Sequence, residues 1–287
     1  MVTSKKHTYA VQISLFAILG LFAAVCIIPL LLAVIITFSD GQAIMQDGYR
    51  FIPSKWSLEA YRVMFENFDG IWKAYGVSIF VTVMGLLLSL STTVMIAYPL
   101  STPGFRYRGI VSFLVFFTMM FSGGTISYYI FTVKYLQLKN NLWVLILPNI
   151  LVPSHVFMLR TFFSTVPDSI YESARMDGAN EYSILLKMGV PLCIPGIITI
   201  GLFITLQYWN DYITGMLFID KQSMYPLQLL LYRYSNYIQD LTYGAGSLPA
   251  DESLLFVMCV ISTVPMLIVF MFFQKYFVRG LTLGAVK

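Results

Sequence analysis

The amino-acid sequence predicts an all-α membrane protein with six transmembrane helices and both termini in the cytoplasm. Apolar residues make up 58% of the 287 residues and charged residues only 11%, about half the charged share of an ordinary globular domain. Six stretches without charged side chains each reach the ~20 residues that a helix needs to cross a bilayer. The distribution of Lys and Arg between the loops sets the predicted orientation.

The six predicted spans are bounded by charged residues. They run over Thr8–Ser39, Ala74–Phe105, Gly109–Val133, Asn140–Leu159, Met188–Asn210 and Ser253–Gln274. We expect the fifth to continue past Asp211 to about Ile219. Lys5 and Lys6 precede the first span, but its apolar core is too long for a secretory signal, so it is predicted to remain as a membrane anchor.

With a cytoplasmic N-terminus, the inner segments hold ten of the eighteen basic residues and the outer segments eight. The inner set is Lys5, Lys6, Arg106, Arg108, Arg160, Arg175, Lys187, Lys275, Arg279 and Lys287. Arg106 and Arg108 occupy one very short loop, which strengthens the positive-inside signal. Six crossings then return the C-terminus to the cytoplasm.

Several function classes lack support in the sequence. The net charge of +4 is dispersed, so no basic run is available for nucleic acid. The three cysteines are far apart and are interpreted as small buried hydrophobic residues, and the two histidines stand alone, so no metal site is predicted. The spans contain no nucleophile–base pair, and the chain has no glycine-rich phosphate loop, so it is not expected to be an enzyme.

The segment from Arg160 to Pro191 is predicted to be a loop of two short helices. Pro167 suits the first position of a helix that ends at Asp177-Gly178, where glycine permits a left-handed conformation. Asn180 is a good N-cap for the second helix. In that helix one apolar face is predicted from residues at i, i+3, i+4 and i+7, namely Tyr182, Leu185, Leu186 and Gly189. From these residues alone, a surface docking element and a re-entrant hairpin remain equally open.

The same segment resembles the EAA loop of ABC importer permeases. Glu172-Ser173-Ala174, three residues, Gly178, nine residues and then Met188-Gly-Val-Pro191 match the family pattern EAA, three residues, G, nine residues, I-x-L-P. The departures are Ser173, Met188 and Val190, all mild changes of size. Asp177-Gly178-Ala179 matches the form common in sugar permeases.

The resemblance implies that the loop, over about residues 160–191, is a coupling element that docks on a cytoplasmic ATPase subunit. The site residues carried over are Glu172, Ser173, Ala174, Asp177, Gly178, Ala179 and Pro191. Glu172 would meet polar or basic groups of the ATPase, Ala174 would allow close approach, and Gly178 would set the bend.

Polar residues in the fifth predicted span indicate a translocation pathway. Gln207, Asn210, Asp211 and Thr214 are spaced i, i+3, i+4 and i+7, and a charged side chain in a span avoids lipid. Trp209 and Tyr212 adjoin them, and ring faces suit sugars. The alternative is that Asp211 only locks helices together. Tyr208-Trp-Asn-Asp-Tyr212 is also similar to the WN segment of sugar permeases.

Two further stretches are assigned to packing or to the membrane surface. In the second span, small residues at helical spacing predict close helix packing: Ser78, Thr82, Gly85, Ser89 and Thr93. Trp56–Phe65 predicts an amphipathic helix, with Leu58, Tyr61, Val63 and Phe65 near one face. Whether it lies on the membrane or packs on the helical bundle stays open.

The C-terminal tail, about residues 275–287, also resembles that of one permease type in the carbohydrate-uptake class. By that resemblance Gly280, Gly284 and Lys287 would contact the ATPase dimer. Gly123-Gly124, Leu159–Phe163 and Tyr225–Gln228 narrow the resemblance to lipoprotein-dependent oligosaccharide permeases of Gram-positive bacteria.

The resemblance covers nearly the whole chain and implies a type I ABC importer permease, a single transmembrane domain over 1–287, in the bacterial cell membrane. The implied function is alternating-access import of sugars, with oligosaccharides favoured. The implied partners are a second permease chain, an ATPase dimer and an extracytoplasmic substrate-binding lipoprotein. No cofactor is expected in this chain, because ATP and Mg²⁺ would be used by the ATPase. The alternatives are an ABC importer permease for another solute and an ion-coupled secondary transporter that uses Asp211.

Overall fold

The computed structural model describes residues 2–67, 70–245 and 252–285. The chain divides into two compact units, Met1–Asp69 with Tyr234–Val264, and Gly70–Arg233 with Pro265–Lys287. This division concerns packing within the chain, and a single permease domain over residues 1–287 stays a prediction.

The first unit contains a long apolar helix and two short helices: α1 (Val2–Thr37), α2 (Gly41–Asp47) and α3 (Glu59–Asn67). The Asp40 side chain caps α2 by accepting a hydrogen bond from the backbone N–H of Ala43 at 3.3 Å. Lys55 donates to the other carboxylate oxygen of Asp40 at 2.8 Å, and this hydrogen bond holds the pKa of Asp40 below its ordinary value.

The amphipathic helix predicted from Trp56 begins later, and the side it packs against its own chain is not the side that carries Leu58 and Phe65. It begins at Glu59, and its buried residues are Ala60 and Met64, whereas Leu58 is 64% exposed and Phe65 is 47% exposed. The exposed side with Leu58 and Phe65 is free to lie on the membrane, and that placement stays a prediction. The spacing of Ala60 and Met64 is i, i+4, which places both on one side of the helix.

The second unit contains the helices that carry most of the predicted site. They are α4 (Ile71–Ser101), α5 (Arg108–Met120), α6 (Gly124–Ile130), α7 (Pro153–Phe163), α8 (Asp168–Met176), α9 (Glu181–Ile184), α10 (Val190–Leu192), α11 (Ile194–Asn210) and α12 (Ile213–Phe218). The last two helices, α13 (Leu227–Ala245) and α14 (Glu252–Ala285), contribute residues to both units.

The packing stripe predicted in the second span is confirmed. All five of its residues are buried in α4: Ser78, Thr82, Gly85, Ser89 and Thr93. This face packs against α11, where the aromatic ring of Tyr208 lies directly over Gly85. The absence of a side chain at Gly85 is what allows the close approach.

Three of the six predicted spans are bent rather than straight. Within the described residues, three single helices are long and apolar enough to cross a membrane, and they lie in α1, α4 and α14. The other three candidates are bent pairs: Arg108–Met120 with Gly124–Tyr135 at 110°, Leu142–Asn149 with Pro153–Phe163 at 52°, and Glu181–Leu192 with Ile194–Asn210 at 84°. The chain therefore has three such helices, or up to six spans if each bent pair counts as one.

The cysteines are only partly as expected. Cys193 is buried, but Cys26 and Cys259 are exposed on apolar helices. No group of three or more His, Cys, Asp or Glu side chains that could hold a metal ion occurs in the described part of the chain.

Candidate functional site

The first helix of the 160–191 loop, α8, begins one residue later than predicted. Pro167 has an extended backbone (φ −59°, ψ 132°) and occupies the N-cap rather than the first helical position. Asp168 opens the helix and places its carboxylate in the first turn, where the positive end of the helix dipole favours it.

The predicted end of α8 at Asp177-Gly178 is confirmed. Gly178 has φ +80°, in the left-handed region. Its N–H donates to the carbonyl of Arg175 and the N–H of Ala179 donates to the carbonyl of Ala174, both at 3.0 Å. These two bonds form a Schellman motif, which satisfies carbonyl groups at the helix end. A Cβ atom at Gly178 would have no neighbour within 4 Å, so this turn faces open space.

The second helix starts as predicted, but its apolar face differs. Asn180 caps α9 by accepting from the N–H of Ser183 at 2.8 Å. Leu185 and Gly189 are buried, whereas Tyr182 is 70% exposed and Leu186 is 66% exposed. The four residues therefore do not share one buried face, and residues 185–189 form a π-helical turn rather than a continuation of the α-helix.

Glu181 connects the two halves of the loop to the end of α4. Its Oε1 atom accepts from Nε of Arg175 at 2.7 Å, and its Oε2 atom accepts from the hydroxyl of Tyr98 at 3.1 Å. The Tyr98 ring is edge-on to the rings of Tyr171 at 5.9 Å and Phe163 at 5.7 Å. Sequence reasoning missed this cluster, because nothing in the local pattern pairs residue 98 with residue 181.

The pKa values of two side chains of α8, Arg175 and Tyr171, are raised in this cluster. The hydrogen bond from Arg175 to Glu181 raises the pKa of the guanidinium, because the ion pair favours its charged form. Burial raises the pKa of Tyr171 to about 12, because the charged phenolate is disfavoured away from water.

The residues carried over from the EAA pattern divide between two faces of the loop. Glu172, Ser173, Asp177, Gly178 and Pro191 are exposed. Ala174, in contrast, is only 3% exposed and faces the interior of its own chain, and Ala179 is half-buried. The structure therefore gives Ala174 a packing position rather than the contact position that the resemblance implies. The outward face of α8 carries the carboxylates of Asp168 and Glu172 and the side chain of Met176, which is 88% exposed.

A cavity of about 600 Å³ opens beside the loop. Its walls come from the end of α4, the short segment before α5 and the loop itself. They include Tyr98, Phe105, Arg175, Glu181 and Tyr182.

The polar stripe predicted for the fifth span is not continuous. Helix α11 ends at Asn210, Asp211 is extended (ψ 99°), and α12 begins at Ile213, so the predicted stretch to about Ile219 is helical again but broken at Asp211. The i, i+7 relation of Gln207 to Thr214 therefore does not hold on one helix. Thr214 is buried at 7% exposure.

Asp211 has a structural explanation at this break. One carboxylate oxygen accepts from the N–H of Thr214 at 3.0 Å, and the other accepts from the side-chain amide of Asn149 at 3.1 Å. The residue thus caps α12 and ties it to the turn before α7. These contacts are of the kind expected from the alternative in which Asp211 only locks helices together.

The other predicted pathway residues differ in accessibility. Trp209 is 3% exposed, with its ring centroid 6.3 Å from that of Tyr75, so its ring faces are not open to a ligand. Tyr212 and Gln207 are half-buried, and the Tyr212 ring lies 4.8 Å from Tyr232. Asn210 is the exposed member of the stripe, and its amide donates to the carbonyl of Leu206 at 2.9 Å.

The predicted tail is helical as far as it is described. Gly280 and Gly284 lie in the last turns of α14, and Lys287 lies outside the described residues.

Comparisons with known proteins agree on one family. Residues 93–283 match the family model described as binding-protein-dependent transport system inner membrane component. A polygalacturonan/rhamnogalacturonan transport system permease protein of Bacillus subtilis is 36% identical, and the match covers 95% of this chain and 96% of the relative. The arabinooligosaccharides transport system permease protein of Halalkalibacterium halodurans is 29% identical, with 92% of each chain covered.

A solved structure is similar over nearly the same length. It is a bacterial ABC transporter involved in the import of the acidic polysaccharide alginate. The TM-score is 0.79 at 29% identity, and the match covers 93% of this chain and 96% of that chain.

Proposed function

The chain belongs to the family of binding-protein-dependent transport system inner membrane components, and from this premise we propose that it is a membrane-spanning subunit of an ATP-driven sugar importer. The observation that carries the proposal is the structure of the 160–191 loop. Its first helix, α8, is short and ends at a glycine turn, and Tyr98 of α4 donates a hydrogen bond to Glu181 of the same loop. A rigid short helix of this kind can transmit the movement of an ATPase to a helical bundle as rigid-body motion.

Sugars are the proposed substrate class because the relatives named above transport them. The names specify polygalacturonan or rhamnogalacturonan, arabinooligosaccharides and alginate. All are saccharides of more than one unit, which favours oligosaccharides over monosaccharides for this chain.

The proposed membrane arrangement has six crossings with both termini in the cytoplasm. It counts each bent pair as one span, because the longest single helix in those pairs, α11, has 17 residues and falls short of the ~20 needed to cross alone. The arrangement places the 160–191 loop on the cytoplasmic side, together with Arg106 and Arg108.

In the proposed complex, partner ATPase subunits bind and hydrolyse ATP with Mg²⁺. A second permease chain would complete the pathway, and an extracytoplasmic binding lipoprotein would deliver the sugar. The predicted contact residues that are exposed are the ones this proposal places against the ATPase: Glu172, Ser173, Asp177, Gly178 and Pro191. The hydrogen bonds of Asp211 to Asn149 and Thr214 favour a structural role over that of an ion-coupling carboxylate.

Two substitutions at Gly178 test the proposal in the complex purified from native membranes. Gly178→Asp adds a negative charge to the outward turn, whereas Gly178→Asn adds a side chain of the same shape without charge. Both residues tolerate the left-handed conformation better than other side chains, and neither meets a neighbour within the chain. We expect sugar uptake to be lost in Gly178→Asp while ATP hydrolysis continues, and to be largely kept in Gly178→Asn.

Co-purification supplies the second measurement. The tagged chain in mild detergent should bring down a second permease and an ATPase. Unchanged uptake by Gly178→Asp, or a chain that comes out alone and still transports in liposomes, would contradict the proposal.

A further inference from the structure

We propose that Glu181 is a positioning residue that fixes the 160–191 loop to α4 and thereby sets how much ATPase movement reaches the membrane helices. The inference rests on the proposed function, because it concerns the transmission of movement from the same loop. It adds three residues, Tyr98, Arg175 and Glu181, that the EAA pattern does not contain.

The first part of the connection spans the glycine turn. Arg175 lies in the last turn of α8 and Glu181 in the first turn of α9, on opposite sides of Gly178. Two guanidinium nitrogens, Nε and Nη2, donate to the two oxygens of Glu181 at 2.7 and 3.4 Å. The paired contact restricts rotation about the turn, so that α8 and α9 keep one relative orientation.

The second part of the connection reaches α4. The Tyr98 hydroxyl donates to Oε2 of Glu181 at 3.1 Å, and the Tyr98 side chain is itself only 5% exposed. Its ring makes edge-on contacts with Tyr171 of α8 and Phe163 of α7. Because the ring is buried and contacts two other aromatic rings, the hydroxyl offers Glu181 one defined position.

The exposure of the ion pair indicates orientation rather than stability as its role. The side chains of Arg175 and Glu181 are 34% and 57% exposed. Ion pairs this accessible to water contribute little to folding, because water screens them. A hydrogen bond with fixed geometry still selects one orientation of the loop.

The test uses Tyr98→Phe, Glu181→Gln and the double variant in the assembled importer reconstituted in vesicles. Tyr98→Phe removes the hydroxyl and keeps the ring contacts, and Glu181→Gln keeps the length and removes the charge. The readout is the number of ATP molecules hydrolysed per sugar imported, with the melting temperature of the complex measured in parallel. Tyr107→Phe, at an exposed tyrosine whose ring faces Arg106, and Glu66→Gln, at an exposed carboxylate, are the matched controls.

We expect each single variant to raise the ATP consumed per sugar by about fivefold, the scale of one hydrogen bond to a charged group that is partly exposed. The double variant should be no worse than the more affected single variant, because both remove the same connection. The controls should match the unmodified protein.

Two outcomes would overturn the inference. A lower melting temperature with an unchanged ATP-to-sugar ratio would give these residues a purely structural role, and additive effects in the double variant would mean that Tyr98 and Glu181 act separately. Failure of the proposed function looks different, because the unmodified complex would then show no ATP-driven uptake at all.

Discussion

Gly85→Ala is expected to destabilise the contact between α4 and α11. A Cβ atom built at Gly85 would lie 2.6 Å from Cε2 of Tyr208 and 2.7 Å from both Cδ2 and Cζ. Real side chains do not approach this closely, so either the ring or one of the helices has to move. The tyrosine ring has little freedom, because it is 3% exposed and its hydroxyl donates to the carbonyl of Ile146 at 3.0 Å.

The magnitude follows from two opposing effects. Forcing an extra methyl group into a packed interior costs about 1–3 kcal/mol. Replacing glycine by alanine in a helix returns about 0.5–1 kcal/mol. The net loss of stability is therefore about 1 kcal/mol, with an upper bound of about 2.5 kcal/mol, and it would be larger if Tyr208 gave up its hydrogen bond to Ile146.

Gly201→Ala is the matched control in the same interface. A Cβ atom at Gly201 would lie 3.6 Å from Cδ1 of Leu86 and 3.7 Å from Cδ2 of Leu90, which is ordinary van der Waals contact. We expect this variant to be unchanged or slightly more stable, since only the helix preference changes. Thermal unfolding of the purified chain in detergent, followed by tryptophan fluorescence, compares the two variants.

The pair of variants separates close packing from a general effect of alanine. Equal melting temperatures for Gly85→Ala and the unmodified chain would refute the packing argument, and so would equal losses in both variants. A further variant, Gly85→Ala with Tyr208→Leu, should recover part of the lost stability, because it removes the atoms that the new methyl group meets.

Two more predictions concern polar groups in the interior. Asp211→Ala should lower stability by about 1 kcal/mol through loss of a helix cap, and exchanging the partners as Asp211→Asn with Asn149→Asp should restore most of it, measured by the melting temperature. If the exchange instead abolishes sugar uptake in a stable complex, Asp211 has more than a structural role. Tyr171→Phe removes a buried hydroxyl that has no hydrogen-bond partner among the described residues, so stability should stay the same or rise. A loss above about 1 kcal/mol would mean that the hydroxyl is bonded.

Local signals in the sequence predicted the parts of the site that are held together locally. The end of α8 at Gly178 and the cap at Asn180 depend on residues within one turn, and both are confirmed. The buried face of α4 was also predictable, because a period of small residues along one unbroken helix marks a close contact.

Breaks within apolar stretches were harder to predict. Residues 109–133 contain no charged side chain, and composition gives the length of the stretch but not the path of its backbone. The chain turns at Phe121, which is extended, and at Gly124, which has φ +77°. The Gly123-Gly124 pair was visible in the sequence, but glycine pairs permit a turn without requiring one.

The error at Asp211 has a specific physical cause. The i, i+7 argument assumed an unbroken helix from Gln207 to Thr214. An aspartate can instead accept a hydrogen bond from the backbone three residues later and start a new helix. The bond to Thr214 is of this kind, whereas the bond to Asn149 joins residues 62 positions apart and leaves no local trace.

Helix α4 is held differently along its length, and this determines the motion it can make. At one end, Ser78 accepts a hydrogen bond from the N–H of Leu227 at 2.8 Å, and at the other, Tyr98 donates to Glu181.

Between these points the buried hydroxyls of Thr82 and Thr93 have no hydrogen-bond partner among the described residues. At Gly85 the contact with α11 depends on shape, because the Tyr208 ring lies directly over the glycine. We therefore expect α4 to resist sliding along its axis. Sliding would break the hydrogen bonds of Ser78 and Tyr98 and would move Gly85 away from the Tyr208 ring. Movement of the 160–191 loop should accordingly carry α4 and α11 together as one rigid body.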